Sequence, residues 1–243
     1  GDINTARYAH SGVGTQGSGL IFGGTPNQTV TELWDGTSWT EVADIATGRH
    51  ASGGGGTSTL AFCAGGGTPG AVTTNEEWDF TSTLAAGAWA SGGNLNSARR
   101  TPGGTGNGTQ TAFSIFGGTA PPSPNYPTEH EQYDGSSWTE AADINTARYE
   151  CKCGAGTQTA ALYAGGVTAP GRVGNSEEWD ASSWAEGPDL NTDAAASASA
   201  GIQTAALGIA GSNYPVLEDA VESYNGTSWS EIADINNGRY YVK

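Results

Sequence analysis

The residues of this chain best suited to chemistry are arginines that return at regular intervals, namely Arg7, Arg49, Arg99 and Arg148. A planar guanidinium binds carboxylates through paired hydrogen bonds, so a ring of arginines would bind an anionic ligand in a central channel. The alternative is that each arginine forms a structural ion pair with a repeated carboxylate, for which the candidates are Glu32, Glu77, Glu131 and Glu178. We favour the ion pairs.

Histidine and cysteine do not form a recognisable catalytic or metal-binding pattern. The three histidines do not share one position of the repeat, and no Ser/His/Asp order stands out among His10, His50 and His130. A structural metal site would need four suitably spaced ligands, so we expect small packed side chains at Cys63, Cys151 and Cys153. No dense acidic loop of the kind that binds calcium is present. The sequence therefore predicts no catalytic residues, no metal and no cofactor.

Irregular loops are better binding candidates than the repeated positions. The longest is proline-rich and therefore stiff, and it contains Pro124 and Tyr126. Loops at the same place in other repeats contain Arg172 and Tyr214. Tyrosine combines an apolar ring with a polar end, which suits a carbohydrate or protein surface. Four such loops would crowd one rim of the molecule: Thr68–Thr74, Thr119–Thr128, Val167–Asn175 and Ser212–Glu218.

The charge balance narrows the classes of partner. The chain has a formal net charge of -16, with 9 Lys+Arg against 25 Asp+Glu, so it would repel nucleic-acid phosphates and anionic lipids. No apolar run reaches the length of a transmembrane helix. We therefore predict a protein or glycan partner, without nucleic-acid binding or membrane insertion.

The elements that must position these residues belong to a sequence repeat. Five tryptophans recur in the same local motif: Trp39, Trp89, Trp138, Trp184 and Trp229. Each repeat reads as four short strands. The first follows the arginine, and the second is an apolar run ending in a small-residue doublet such as Gly23-Gly24. The third carries a glutamate and an aromatic residue, and the fourth begins at the recurring tryptophan. Continuous apolar second strands indicate burial on both faces, as in a propeller blade between two neighbours.

The order and spacing of the glycine doublet, the Glu-x-aromatic-Asp phrase and the tryptophan resemble kelch-repeat β-propellers over essentially the whole chain. The phrases Asp-Ile-Asn-Thr-Ala-Arg and Gly-Thr-Gln-Thr also resemble kelch-like repeats of tailed phages and aquatic bacteria. The resemblance implies an all-β propeller of four-stranded antiparallel blades in one domain, and the five repeated strand sets predict five blades. The predicted units are 1–43, 44–93, 94–142, 143–188 and 189–233, and residues 234–243 form a closing or surplus strand.

Kelch rings more often have six or seven blades. Residues 1–10 and 236–243 both read as a first-strand segment, although five blades need only five. We expect the surplus at the C-terminal end, in a chain that continues into a longer polypeptide.

The repeat architecture, the acidic surface, the variable loops on one rim and the lack of a catalytic pattern favour a non-enzymatic binding or structural module. We expect a virion appendage or cell-surface adhesion domain, extracellular or in the virion, that recognises a protein or glycan and contacts other virion proteins. One alternative is a carbohydrate-active enzyme, because kelch-like propellers include sugar oxidases and sialic-acid isomerases. Another is an intracellular adaptor of the eukaryotic kelch type.

Overall fold

The computed structural model describes residues 1–80, 87–151, 153–195, 198–213 and 216–238, and these residues form five antiparallel sheets of four strands each. The predicted all-β architecture of four-stranded blades is confirmed. No helix within the described ranges is long and apolar enough to cross a membrane.

The four strands of each sheet are consecutive in the chain and lie side by side in sequence order. The first sheet contains β1 (Ser11–Thr15), β2 (Ser18–Phe22), β3 (Thr31–Trp34) and β4 (Trp39–Glu41). The second contains β5 (Gly53–Gly56), β6 (Leu60–Ala64), β7 (Asn75–Asp79) and β8 (Ala88–Ser91). The third contains β9 (Gly103–Gly104), β10 (Phe113–Phe116), β11 (His130–Tyr133) and β12 (Trp138–Ala141).

The last two sheets repeat this order. The fourth contains β13 (Cys153–Thr157), β14 (Ala160–Ala164), β15 (Ser176–Trp179) and β16 (Trp184–Gly187). The fifth contains β17 (Ala198–Ile202), β18 (Ala205–Asn213), β19 (Val216–Tyr224) and β20 (Trp229–Glu231). The N-terminal segment thus supplies the first strand of the first sheet, because β1 pairs with β2.

The turn between the third and fourth strands is built by an aspartate. In the first sheet, Oδ1 of Asp35 accepts hydrogen bonds from the backbone N–H groups of Thr37 and Ser38, both at 2.8 Å. A further bond from the Thr37 hydroxyl and these backbone donors lower the pKa of Asp35 to about 2. Gly36 takes a φ of 95° in this turn, a conformation that glycine adopts without steric cost.

The fifth sheet departs from the expected loop at Ser212–Glu218. Its strands β18 and β19 are 9 residues each and extend the hairpin into that region, so the prediction of a loop there is wrong. A register shift lies between Ile209 and Gly211. The projecting hairpin leaves Val216 60% exposed, so it adds an apolar edge to this side of the molecule.

The core lies between neighbouring sheets. Between the first and second sheets, Leu20 and Phe22 pack with Trp78, Trp89 and the linker residue Ile45. The corresponding groups recur between the second and third, third and fourth, and fourth and fifth sheets. Each fully buried side chain of this size contributes about 2 kcal/mol. The recurring aromatic residues therefore pack between blades at these four interfaces.

The innermost strands surround a central channel. Contacts run from β1 to β5, from β5 to β9, from β9 to β13 and from β13 to β17. A cavity of about 600 Å³ follows this channel and is lined largely by glycine, alanine and serine.

Candidate functional site

The four recurring arginines are buried ion pairs. The side chains of Arg7, Arg49, Arg99 and Arg148 are all 0% exposed. Their partners are Glu32 at 3.1 Å, Glu76, Glu131 at 2.7 Å and Glu177 at 2.6 Å. The favoured prediction that these arginines form ion pairs is therefore confirmed, and the alternative of an anion-binding ring is corrected, because the guanidinium groups are buried against carboxylates.

Two of the predicted carboxylate partners were wrong by one residue. Glu76 and Glu177 form the ion pairs, not Glu77 and Glu178. Glu77 and Glu178 point to the neighbouring sheet instead, where they accept hydrogen bonds from the hydroxyls of Tyr133 and Tyr224. Burial and the Glu77 carboxylate raise the pKa of Tyr133 to about 12. Adjacent glutamates on a strand face opposite sides, which is why one joins the arginine and the other joins the next sheet.

Each ion pair also fixes the linker that enters its sheet. Glu131 accepts hydrogen bonds from the backbone N–H groups of Asn96 at 2.7 Å and Ser97 at 3.3 Å, besides its bond from Arg99. A buried carboxylate needs such partners to offset its lost hydration. The repeated arginine and glutamate therefore hold the entry to each blade, which is an architectural role.

The residue after each arginine, or after Ala194 in the fifth repeat, occupies a different environment, at one mouth of the channel. Here the repeat varies, as Tyr8, His50, Arg100, Tyr149 and Ala195. Each pairs with the residue that follows the small-residue doublet of its own sheet, Thr25, Gly67, Thr119, Val167 and Ser212. A cavity of about 510 Å³ opens among the first four of these residues and Glu150, and we call it the mouth pocket.

A belt of backbone hydrogen bonds holds the mouth pocket. The N–H of Ala51 donates to the carbonyl of Ala9 at 2.8 Å, that of Thr101 to Ala51 at 2.8 Å, and that of Glu150 to Thr101 at 3.2 Å. All four residues have positive φ, between 51° and 53°. This region is uncommon for residues with a side chain and costs about 1 kcal/mol each. Such strain is typical of functional sites.

The mouth pocket gathers titratable and cationic groups. Nδ1 of His50 lies 2.7 Å from Oδ1 of Asn27, an oxygen that accepts, so Nδ1 carries the hydrogen. Burial and the nearby Arg100 charge lower the pKa of His50. The Arg100 side chain is held by a hydrogen bond from Nε to the Thr119 hydroxyl at 3.3 Å. No cluster of three or more His, Cys, Asp or Glu fit for a metal ion exists within the described part of the chain.

One predicted binding residue, Tyr126, lies beside this pocket. The rings of Tyr126 and Tyr149 are stacked with centroids 4.8 Å apart. Burial and the Glu150 carboxylate raise the pKa of Tyr149, whereas the charge of Arg172 opposes the rise. Pro124 is exposed in its loop and is not among the lining residues, and Tyr214 lies outside the described residues.

Sequence reasoning missed Tyr8, His50 and Arg100 as site residues. Their signal is variation: each follows a strictly repeated arginine, yet their types differ from one repeat to the next. A position that the architecture leaves free to vary beside one that it fixes is a better candidate for binding.

Together these features define a five-bladed β-propeller with kelch-like repeats. The solved structure of YjhT is similar to this one: the two superpose with a TM-score of 0.80 at 10% sequence identity, over 99% of this chain and 87% of that chain. No protein-family description matches the sequence, and no curated protein matches it significantly. At this identity the similarity defines the fold alone.

Proposed function

We propose that this propeller is a non-enzymatic recognition module that binds an acidic glycan at the mouth pocket, as part of a virion appendage or cell-surface adhesion protein. The observation that carries the proposal is the placement of the unpaired arginines. Of six arginines in the described residues, four form ion pairs and the remaining two, Arg100 and Arg172, lie at or beside the mouth pocket.

The charge of the whole protein makes this placement selective. A net charge of -16 repels anions from most of the surface. Arg100 and Arg172 have no ion-pair partner among the residues that the structure describes, so their charges remain available to a ligand. A carboxylate or sulfate would bind a guanidinium through two parallel hydrogen bonds.

The stacked Tyr126 and Tyr149 supply the second part of a sugar site. An aromatic ring packs against the apolar face of a sugar while its hydroxyl bonds to water or ligand. The raised pKa of Tyr149 keeps its phenol neutral and able to donate a hydrogen bond at physiological pH. A cavity of about 510 Å³ lies within the usual range for small-ligand sites.

Calorimetric titration with glucuronic acid and glucose tests the proposal, followed by a glycan array. We expect the acid to bind and the neutral sugar to bind at least about tenfold more weakly, a difference of about 1.4 kcal/mol. Arg100→Gln should reduce the preference for the acid, whereas Pro124→Ala, in the exposed loop, is the matched control. Equal binding of both sugars, or no binding to any glycan or host cell, would contradict the proposal.

A second candidate function is a carbohydrate-active enzyme. It is favoured by His50, whose lowered pKa provides a neutral imidazole beside Glu150 in the same pocket. Nuclear magnetic resonance of sugars incubated with the protein separates the two candidates. Turnover that His50→Gln abolishes would favour the enzyme, and stoichiometric copper in the purified protein would favour an oxidase.

A further inference from the structure

Four interfaces between consecutive sheets use the same set of side chains. Two residues of the second strand face the next sheet, and all of them are 0% exposed: Leu20, Phe22, Phe62, Ala64, Ser114, Phe116, Leu162 and Ala164. The next sheet covers them with its third-strand aromatic residue, which is at most 2% exposed at Trp78, Tyr133, Trp179 and Tyr224. A buried aliphatic linker residue completes each group.

The equivalent positions are less buried at the junction between the fifth sheet and the first. We call this junction the seam. Leu207 and Ile209 of β18 are only half-buried, although they are equivalent to the eight covered residues. Trp34 of the first sheet is half-buried as well, whereas its four equivalents are at most 2% exposed. Ile235 is also half-buried, whereas its equivalents are at most 6% exposed at Ile45, Leu95, Ile144 and Leu190.

Hydrogen bonds show the same difference between the interfaces of consecutive sheets and the seam. At three interfaces a glutamine side chain donates to two backbone carbonyls of the preceding sheet, as Gln158 does to Phe113 at 3.3 Å and Tyr133 at 2.9 Å. The equivalent Gln16 is exposed and makes no side-chain hydrogen bond within the described ranges.

Two linkers meet at this one seam. Asn4 and Thr5 donate backbone hydrogen bonds to Glu32 at 2.7 and 3.2 Å, so the N-terminal linker fills the entry to the first sheet. The second linker leaves the fifth sheet by the usual path, since the N–H of Ile235 bonds to the Asp219 carbonyl at 3.0 Å. Glu32 has no room for both, because one linker and Arg7 already occupy its two oxygens.

We propose that the seam holds one further four-stranded sheet of the same repeat type, joined to this chain through residues 234–238. Its second strand covers Trp34 and Trp39 and accepts the Gln16 amide through its backbone carbonyls. Its aromatic pair covers Leu207, Ile209 and Ile235, and its own glutamate receives the second linker. A sheet of the same repeat type is the expected occupant, because such a sheet covers the equivalent face at the four other interfaces.

Hydrogen exchange measured by mass spectrometry tests the proposal on the 243-residue chain and on an extended chain. The extension places a copy of residues 149–188 directly after Arg239, so that this arginine precedes a complete blade. We expect fast exchange at Leu207–Ile209 and at Thr31–Trp34 in the 243-residue chain. In the extended chain exchange at both edges should slow at least about tenfold. The matched control carries Trp179→Ala and Trp184→Ala in the copied unit and should not protect Leu207–Ile209.

Slow exchange at both edges of the 243-residue chain would mean that the first and fifth sheets close directly, and it would overturn the proposal. Unchanged exchange on extension would overturn it as well. If the extended chain is insoluble, the 243-residue chain decides alone, because fast exchange at both edges supports the open seam.

Discussion

Arg99 and Arg100 are adjacent in sequence and opposite in role. Arg99 is 0% exposed and paired with Glu131 at 2.7 Å, and it fixes the entry of the chain into the third sheet. Arg100 lies at the mouth pocket, where burial and, to a smaller extent, the Arg100 charge lower the pKa of His50. The comparison separates two regions, the buried ion pairs between linker and sheet and the variable ring of side chains around the channel mouth.

The difference shows what repetition means in this protein. A residue present in nearly every unit satisfies a need that every unit has, such as compensating a buried carboxylate. A residue type that changes at an equivalent position, as among Tyr8, His50 and Arg100, is not required by the architecture of the repeat. Function is therefore expected at the varied position of the repeat.

The largest expected effect comes from removing each arginine in turn. Arg99→Ala leaves Glu131 buried without its counter-charge and should lower the free energy of unfolding by about 3 kcal/mol. Arg100→Ala breaks no ion pair and should change it by about 0.5 kcal/mol or less. Urea denaturation of both variants measures the contrast, and equal losses would contradict the distinction between the two regions.

A comparable effect is expected for the buried histidine. His130 is 0% exposed, its Nδ1 accepts a hydrogen bond from the indole of Trp184 at 3.2 Å, and burial lowers its pKa to about 4. The folded state therefore resists protonation that the unfolded chain, with a pKa near 6.5, accepts. Stability should be unaffected by His130 above pH 6.5 and fall by about 3 kcal/mol as the pH drops to about 4.

Urea denaturation across this pH range tests the histidine, with His130→Phe as the comparison. The variant cannot titrate at this position, so its loss of stability on acidification should be smaller by that amount. An identical pH dependence in the two proteins would show that other groups cause the acid sensitivity.

A smaller effect is expected on the binding side of the comparison. Tyr126→Ala removes the ring stacked on Tyr149 and should weaken glycan binding about tenfold, or about 1.4 kcal/mol, with little change in unfolding. Calorimetric titration measures it, with Pro124→Ala as the control in the same loop. Loss of stability comparable to the loss of affinity would assign Tyr126 to packing instead.

The smallest expected effect concerns the strained belt. Thr101 has a φ of 51°, which disfavours a β-branched side chain, whereas glycine adopts it freely. Thr101→Gly should raise the free energy of unfolding by about 1 kcal/mol. Thermal unfolding checks the sign, and a destabilised variant would mean that the Thr101 side chain supports the mouth pocket.

Much of the fold was predictable because it rests on local, repeated patterns. The local sequence alone indicates the structural role of three features: the five tryptophans, the apolar second strands and the Asp-Gly turns. The partners of Arg49 and Arg148 were predicted one residue away, because two adjacent glutamates look alike until the strand register is known. The loop at Ser212–Glu218 was also misjudged, since the longer hairpin follows from pairing between two strands.

The sequence by itself determined the number of sheets, the order of strands and the residues that pack between them, because alternation along a strand and the identity of turn residues are local properties. Only the tertiary structure decided which residues meet at the channel mouth. His50, Arg100 and Tyr149 come from three different repeats, and the belt that brings them together joins backbone groups of separate sheets. Contacts between distant segments depend on how the sheets pack around the axis, and no single repeat contains that information.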